Sequence, residues 1–524
     1  GSAGSPFGRN APLDAISAPP EPGLENPSPR AISRFLMTRT QFIPATSLNL
    51  LAAAWIQFQV HDWFGHQQED QATAPIELAE GGTWPETPMK IRRTKEASGA
   101  ARGCPAKVPI FLNTETHWWD GSQLYGSGAE RQQEVRSGQK GKLTINQGRL
   151  PSMGTIDTEL SGIDLTGFND NYWIGLSLFH TVFALEHNTI CETLSSRYPS
   201  WTDEQLFQKA RLINAALIAK IHTVEWTPAL LQHPTLDSGM KANWWGLLGE
   251  QIRKRIGRLS PSEVWSGIPG SPTDHHTAPY AMTEEFVAVY RLHPLIPDEY
   301  RFYSMTDSAF SRYKSFLDIQ GNKTRSTIDE LGIENVWFSF GVAHPGKLAL
   351  GNFPHFLQKF RRIKRLPNGD PEIIDLAAID IFRDRERGVP RYNAFRRMLR
   401  MKPIKSFEEL NPEWAKKLND LYMGDVERLD LMVGLYAEEP PPGFAISDTA
   451  FRIFTLMAPR RLKSDRFFTA DFRPDVYTPL GIDWVQNNDL TSLLLRHYPS
   501  LAPALLGLGN AFLPWHNVHE PTHH

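Results

Sequence analysis

The feature that most restricts what this chain can become is the apolar run Leu48-Asn49-Leu50-Leu51-Ala52-Ala53-Ala54-Trp55-Ile56-Gln57-Phe58-Gln59-Val60-His61-Asp62-Trp63-Phe64. It has no internal glycine or proline, and Thr46-Ser47 stands before it as an N-cap, so it reads as a helix buried in a protein core. Its polar residues are the anomaly. Gln57 and His61 are four apart and share a face, whereas Asp62 points about 100° away, so the pair and the carboxylate address different neighbours. Buried polar groups need partners. Either these three have functional partners or the helix ends at the surface, which the polar run His66-Gln67-Gln68-Glu69-Asp70 also allows.

A chain of 524 residues, 41% hydrophobic and 22% charged, has ample material for a core. Length alone suggests about three or four domains, or one large enzyme body. The net charge of −3 gives no reason to expect nucleic acid. No apolar run approaches the roughly 20 residues of a membrane span, so no transmembrane segment is expected. With only Cys104 and Cys191, a disulfide scaffold and a zinc-type cysteine cluster are both excluded, and a single bridge is left open. Gly1-Ser2-Ala3-Gly4-Ser5 has the look of a cloning remnant, and nothing near it has the regions of a secretory signal. Cytoplasmic is the expected location, with peripheral membrane contact left open.

Residues 6–30 are proline-rich and read as an extended arm. Residues 69–108 read as a long polar surface loop. Thr116, Trp118, Asp120 and Ser122 alternate in an oxygen-rich stretch suited to calcium, which would need another carboxylate, and Asp62 is free to supply it. Helices are expected over 172–196 and 203–231, the second carrying His222 and Thr227. A lone histidine on a helix is most often a satisfied core residue. Thr283 caps a further helix that should carry Tyr290 and His293 on its last turn before Pro294. That places phenol and imidazole about 4.5 Å apart in rise on one face, close enough for an atom held by His293 to exchange an electron with Tyr290. Ordinary packing is the alternative. Residues 375–385 form a buried helix around Asp380, an acid that needs a donor. Helices near 412–421, 426–436 and 448–457 complete the pattern. Strand signals are scarce, so the fold class is mainly α, with an arm over 1–34 and a catalytic domain over 35–524.

Taken together, Gln57-x-x-x-His61-Asp62, Thr116-x-Trp118-x-Asp120-x-Ser122, Glu186-His187-Asn188, Tyr290-x-x-His293-Pro294 and the segment from Asp375 to Arg385 resemble the peroxidase-cyclooxygenase superfamily of haem proteins. The resemblance implies a large helical fold with haem sandwiched between two helices and a calcium ion tying the distal helix to a loop. By position it implies His61 and Gln57 on the distal side and His293 as iron ligand. Asp380 would be the partner of the proximal imidazole, a carboxylate that adds imidazolate character and lowers the iron's potential. Asp62, Thr116, the Trp118 carbonyl, Asp120 and Ser122 would hold calcium. Val60 stands where ester-linked members carry an acid before the distal histidine, which implies non-covalent haem b.

Two features separate an oxygenase from a peroxidase. No arginine occurs between Arg149 and Arg197, where true peroxidases keep a distal arginine, and Tyr290 matches the radical tyrosine of cyclooxygenases and fatty-acid dioxygenases. The segments 221–227, 242–249 and 460–468 look like those of fatty-acid α-dioxygenases, and the likeness covers nearly all of residues 35–515. It implies that His222, Thr227 and Arg461 hold the fatty-acid carboxylate. Arginine would supply a planar fork, a protonated His222 a second charge and Thr227 a neutral donor. The implied reaction takes hydrogen from C2 through a Tyr290 radical and adds O2, after activation by peroxide. The competing readings are a haem peroxidase acting on small electron donors and a catalytically silent haem- or calcium-containing interaction protein.

Overall fold

The computed structural model describes residues 2–16, 23–78, 81–97, 108–154, 161–273, 280–365 and 371–519. The helices that build the site and its surroundings are, in chain order, α1 (Leu51–Trp63), α2 (Ile174–Arg197), α3 (Asp203–Ile221), α4 (Pro234–Trp245), α5 (Glu250–Ile256), α6 (Glu263–Ser266), α7 (Glu284–Val289), α8 (Leu376–Glu386) and α9 (Asp448–Ser464). Strands pair only as two-stranded antiparallel sheets among the described residues. The fold is mainly α. No helix there is long and apolar enough to cross a membrane.

Helix α1 lies at the centre. Its N-cap is Leu50, and Asn49 just before it accepts from Leu51 N through Oδ1 while its Nδ2 donates to Ala511 O and Leu513 O, so the helix starts later than Thr46-Ser47 suggested. Of its residues only Gln57 and Val60 are not buried, because both border a cavity. Phe58 stacks on Phe183 and Phe179 of α2, with centroids 5.6 and 5.9 Å away, and Trp55 meets Phe179 edge-on. Deleting a ring such as Phe58 would cost about 3–5 kcal/mol. Helix α2 is buried on almost every side, hence the near-continuous apolar run in its sequence.

Helix α3 continues through a π-turn, His222–Trp226, into Thr227–Leu230, so the expected 203–231 helix is present with a widened turn at His222. Helix α9 runs seven residues beyond Met457, through Pro459, and thereby carries Arg461 on regular helix. The segment read as a surface loop instead contains a hairpin, β1 (Gln68–Ile76) with β2 (Met89–Thr94). Ala74, Ile76, Met89 and Ile91 pack against Ala378, Ile379 and Phe382 of α8. The N-terminal arm lies on the body: Phe7 N donates to Phe111 O, Gly8 N donates to Met282 O, and the Phe7 ring stacks on His66 at 4.1 Å. Cys191 is a free, buried thiol, and Cys104 lies outside the described residues.

Candidate active site

Helix α7 starts as expected, with Thr283 Oγ1 accepting from Phe286 N, but it ends at Val289. Tyr290 is its C-cap at φ −89° and ψ 17°, and His293 opens a separate 3-10 turn with Pro294 and Leu295. The two side chains are therefore not a helical i, i+3 pair, because Pro294 forces the chain to turn before a last helical turn can close. They nevertheless border one cavity of about 770 Å³, together with Gln57, Val60 and His61 of α1 and Asp380 and Arg383 of α8. That volume lies within the range of cofactor sites.

Two histidines border this cavity, His61 from α1 and His293 from the 293–295 turn. His293 Nδ1 stands 3.2 Å from Asp380 Oδ2, which leaves Nε2, on the far side of the ring, for a metal. Arg291 Nη1 shares the same carboxylate at 3.3 Å, so Asp380 stays ionised despite burial, held down by Arg291 and His293. Sharing with Arg291 weakens the imidazolate character expected from Asp380 alone. His61 is buried and held neutral, its pKa lowered to about 3 by desolvation. The Gln57 amide is fixed by Trp173 Nε1, which donates to Oε1 at 2.7 Å, and by donation to Asn171 O. On α8, burial and the neighbouring charges of Arg387 and Arg291 bring Arg383 down to about 9, and its Nε lacks a partner. A planar iron macrocycle carrying carboxylates fits this donor set: two imidazoles and a cationic wall.

Behind α1, Asp62 turns away from Gln57 and His61 as the helical geometry requires. Its Oδ1 accepts from Ser122 N and from Ser122 Oγ, both at 2.7 Å. Asn113 ties the loop to the helix end, donating to Trp63 O and accepting from Gly65 N. Gly121, at φ 72°, makes the turn that brings Ser122 round. Burial and the charge of Asp120 push the Asp62 carboxyl well up, and the Thr116 hydroxyl is buried without a partner. Two carboxylates and an orphaned hydroxyl suit a hard cation. The Trp118 carbonyl, however, already accepts from Arg461 Nη2 at 2.8 Å, so only its second lone pair is open. No group of three His, Cys, Asp or Glu side chains able to hold a metal occurs among the described residues, so such a site would depend on hydroxyl and carbonyl oxygens.

The third cluster surrounds Trp63. Its ring meets Tyr290 at 5.2 Å, His222 at 5.1 Å and Trp119 at 4.9 Å, all edge-on, and the Arg461 guanidinium lies 4.8 Å from it and 4.5 Å from Trp119. Arg461 Nε donates to His117 O, while its Nη1 is buried without a partner. Trp55 Nε1, a donor only, bonds to His222 Nδ1 at 3.1 Å, so the proton of His222 sits on Nε2, which is also buried and unpartnered. Burial, with the charge of Arg461, holds His222 far below the ordinary histidine range. It is thus a neutral donor rather than a second charge. The Thr227 hydroxyl donates to His222 O at 2.8 Å, so the free donor expected there is engaged within the π-turn. The Tyr290 hydroxyl has no partner, and burial keeps it a protonated phenol.

The expected side chains therefore fall in three groups, except that the Thr116 hydroxyl makes no hydrogen bond to the Asp62 cluster. Sequence reasoning missed Trp55, Trp63, Trp119, Arg291 and Arg383. Trp119, Arg291 and Arg383 sit inside the very motifs singled out, Trp63 directly follows Asp62, and Trp55 lies two residues before Gln57. Their aromatic or cationic character inside an apolar run was the available signal.

The fold and site define a haem enzyme of the peroxidase type, and the comparisons agree. The animal haem peroxidase family matches residues 1–505. Alpha-dioxygenase 2 of Arabidopsis thaliana is 38% identical, covering 99% of this chain and 82% of the relative, and alpha-dioxygenase PIOX of Oryza sativa subsp. japonica is 38% identical over 98% and 83%. The crystal structure of an Oryza sativa fatty acid alpha-dioxygenase tyrosine-to-phenylalanine variant with palmitic acid superposes with a TM-score of 0.90 at 35% identity, covering 98% of this chain and 85% of that one. The chain belongs to the animal haem peroxidase family, and within it to the branch of the alpha-dioxygenases.

Proposed function

We infer that the protein is a haem-dependent fatty-acid α-dioxygenase that converts a fatty acid and O2 into the 2-hydroperoxy fatty acid. The observation that carries this reading is the set of unpartnered buried donors beside Tyr290: Arg461 Nη1 and His222 Nε2 offer a charge and a neutral N–H to one carboxylate. Donors with no acceptor in the chain suit an acidic head group, and a head group held there leaves C2 as the carbon within reach of the Tyr290 oxygen. The rice structure named above was determined with palmitic acid, which supports a long-chain acid as substrate.

His293 Nε2 would hold the iron of a non-covalent haem b, and that group would supply the one-electron oxidising equivalent that peroxide delivers to Tyr290. His61, neutral and beside the cavity, takes and returns the peroxide proton, with Gln57 fixing the polar edge of the same face. Asp380 orients the His293 ring. The Tyr290 oxygen removes one hydrogen atom from C2 and becomes the phenol. O2 adds to the carbon radical, and the peroxyl product takes the hydrogen back from Tyr290, so the tyrosine ends as it began. Thr227 acts by bracing the π-turn that presents His222. Calcium held by Asp62, Thr116, the Trp118 carbonyl, Asp120 and Ser122 would neutralise the paired carboxylates and fix the loop whose carbonyls orient Arg461.

Oxygen uptake with palmitate, with the product identified as the 2-hydroperoxide or its one-carbon-shorter aldehyde, tests the reading. Strong guaiacol oxidation by peroxide without palmitate-dependent uptake would replace it with a peroxidase. Elemental analysis of dialysed, active protein decides calcium: its absence removes the ion from the account.

A further inference from the structure

Residues 247–265 concentrate apolar surface. Of the 17 large apolar side chains exposed among the described residues, six fall in this stretch: Leu247, Ile252, Ile256, Leu259, Val264 and Trp265. Leu247 and Ile256 are each 64% exposed. A density this high beside a well-filled core marks an interaction surface rather than scattered hydrophobic residues.

The same stretch carries Arg253, Lys254, Arg255 and Arg258 against Glu250 and Glu263. Two of the cations are structural. Arg253 Nη2 donates to Pro269 O, and Arg258 Nη1 donates to Gly267 O and Pro269 O, tying α5 and its exit to the chain that follows α6. Lys254 and Arg255 are exposed, Lys254 beside Glu250 at 2.8 Å. Helix α9 extends the patch with Leu456, 53% exposed. Leu247, Val264, Leu456 and Arg460 border a groove of about 460 Å³. The opposite face of α9 buries Phe454, Met457 and Arg461. Groove and carboxylate site thus lie on the two faces of one helix.

We propose that α5, α6 and the outer face of α9 dock the protein on an anionic lipid bilayer. Ile252, Ile256, Leu259, Val264 and Trp265 enter the boundary between headgroups and acyl chains, while Arg255 and Arg460 meet the headgroup phosphates and carboxylates. Bulky aliphatic residues, an amphipathic tryptophan and neighbouring cations are the composition of an interfacial surface. A second copy of the chain fits less well, because a two-fold contact would set these cations against one another. Docking is a property of the surface and does not depend on the reaction assigned above.

The test is co-sedimentation of the holoenzyme with phosphatidylcholine vesicles, with and without phosphatidylserine, at low and high salt. Binding to the anionic vesicles, weakened by salt, is expected. Ile252→Glu/Ile256→Glu/Trp265→Glu should weaken it about tenfold or more while oxygen uptake with dispersed palmitate is unchanged. All three positions are exposed, and Arg255→Glu is a milder second variant that should lose affinity for the anionic vesicles alone. Failure of the wild type to bind, or equal binding by the triple variant, overturns the proposal. So does a wild-type dimer in sedimentation that the triple variant dissociates without any vesicle binding, which would give the surface to a second copy.

Discussion

Two buried clusters flank Tyr290, both rich in cations, and they are satisfied in opposite ways. On the haem side, Asp380 stands within 3.3 Å of Arg291 and 3.2 Å of His293, so charge meets charge within the chain. On the Trp63 side, Arg461 reaches only carbonyls and aromatic faces, and the His222 N–H meets nothing. A buried ion pair completed internally holds geometry, whereas a buried cation without its counter-charge is costly unless something brings one. Under the proposed function the first cluster would position a ligand atom and the second would receive an anion. Arg383, under-compensated in the cavity wall, repeats the second pattern on a smaller scale and suits the carboxylates of a macrocycle.

The largest expected effect tests the residue between the clusters. Tyr290→Phe removes one oxygen atom and should abolish palmitate-dependent oxygen uptake while leaving the haem absorption spectrum intact. Uptake retained at more than background would mean that hydrogen abstraction passes through another group. Next is Arg461→Met, which fills the space without the charge. Losing one member of a buried charge-assisted pair costs about 2–5 kcal/mol, so KM for palmitate should rise roughly a hundredfold. A KM within a factor of about three of wild type would show that the unpartnered guanidinium is not the carboxylate's anchor.

The clusters also differ in how legible they were. Gln57, His61 and Asp62 could be assigned to separate faces because helical periodicity fixes direction, and the cavity and the Ser122 contacts lie on those faces. Periodicity failed at Tyr290 and His293, where local turn geometry set by Pro294 overrides it. The hairpin 68–94 was hidden because Pro75 and the polar residues around its turn masked the short alternation of Ala74, Ile76, Met89 and Ile91, whose burial against α8 exists only in the tertiary structure. The charge state of His222 was beyond reach for the same reason: Trp55, Trp63, Trp119 and Trp226, which desolvate it, come from three separate segments.

That charge state gives the next prediction. Because burial and Arg461 hold the free enzyme's His222 far below 6.5, it is neutral throughout pH 6.5–8. The dependence of kcat/KM on pH, which reports free-enzyme groups, should show no histidine step there. A fall with rising pH through about 7 would mean that a protonated imidazole binds the carboxylate. Stability behaves differently. His66 and His187, lowered to about 4 in the fold, bind protons more readily when unfolded, so their stabilising contribution is full above about pH 6.5 and is lost as pH falls towards 4. Buried carboxyls raised to about 6–8, among them Asp375, Asp384 and Glu225, act in the opposite sense, so the histidine contribution should be read in a variant: His187→Gln should lose less thermal midpoint than the wild type between pH 7 and pH 5.

The smallest effect concerns the tautomer of His222. Trp55→Phe removes the N–H that Nδ1 accepts, so the imidazole can place its proton on either nitrogen and offers Nε2–H to the carboxylate only part of the time. With Arg461 still present, KM should rise only about threefold to tenfold, the scale of one neutral hydrogen bond. His222→Gln, which keeps a neutral donor, should then be milder than His222→Leu. If Trp55→Phe changed stability but left KM alone, the Trp55–His222 bond would belong to the core's packing, and Arg461 alone would define the anion site.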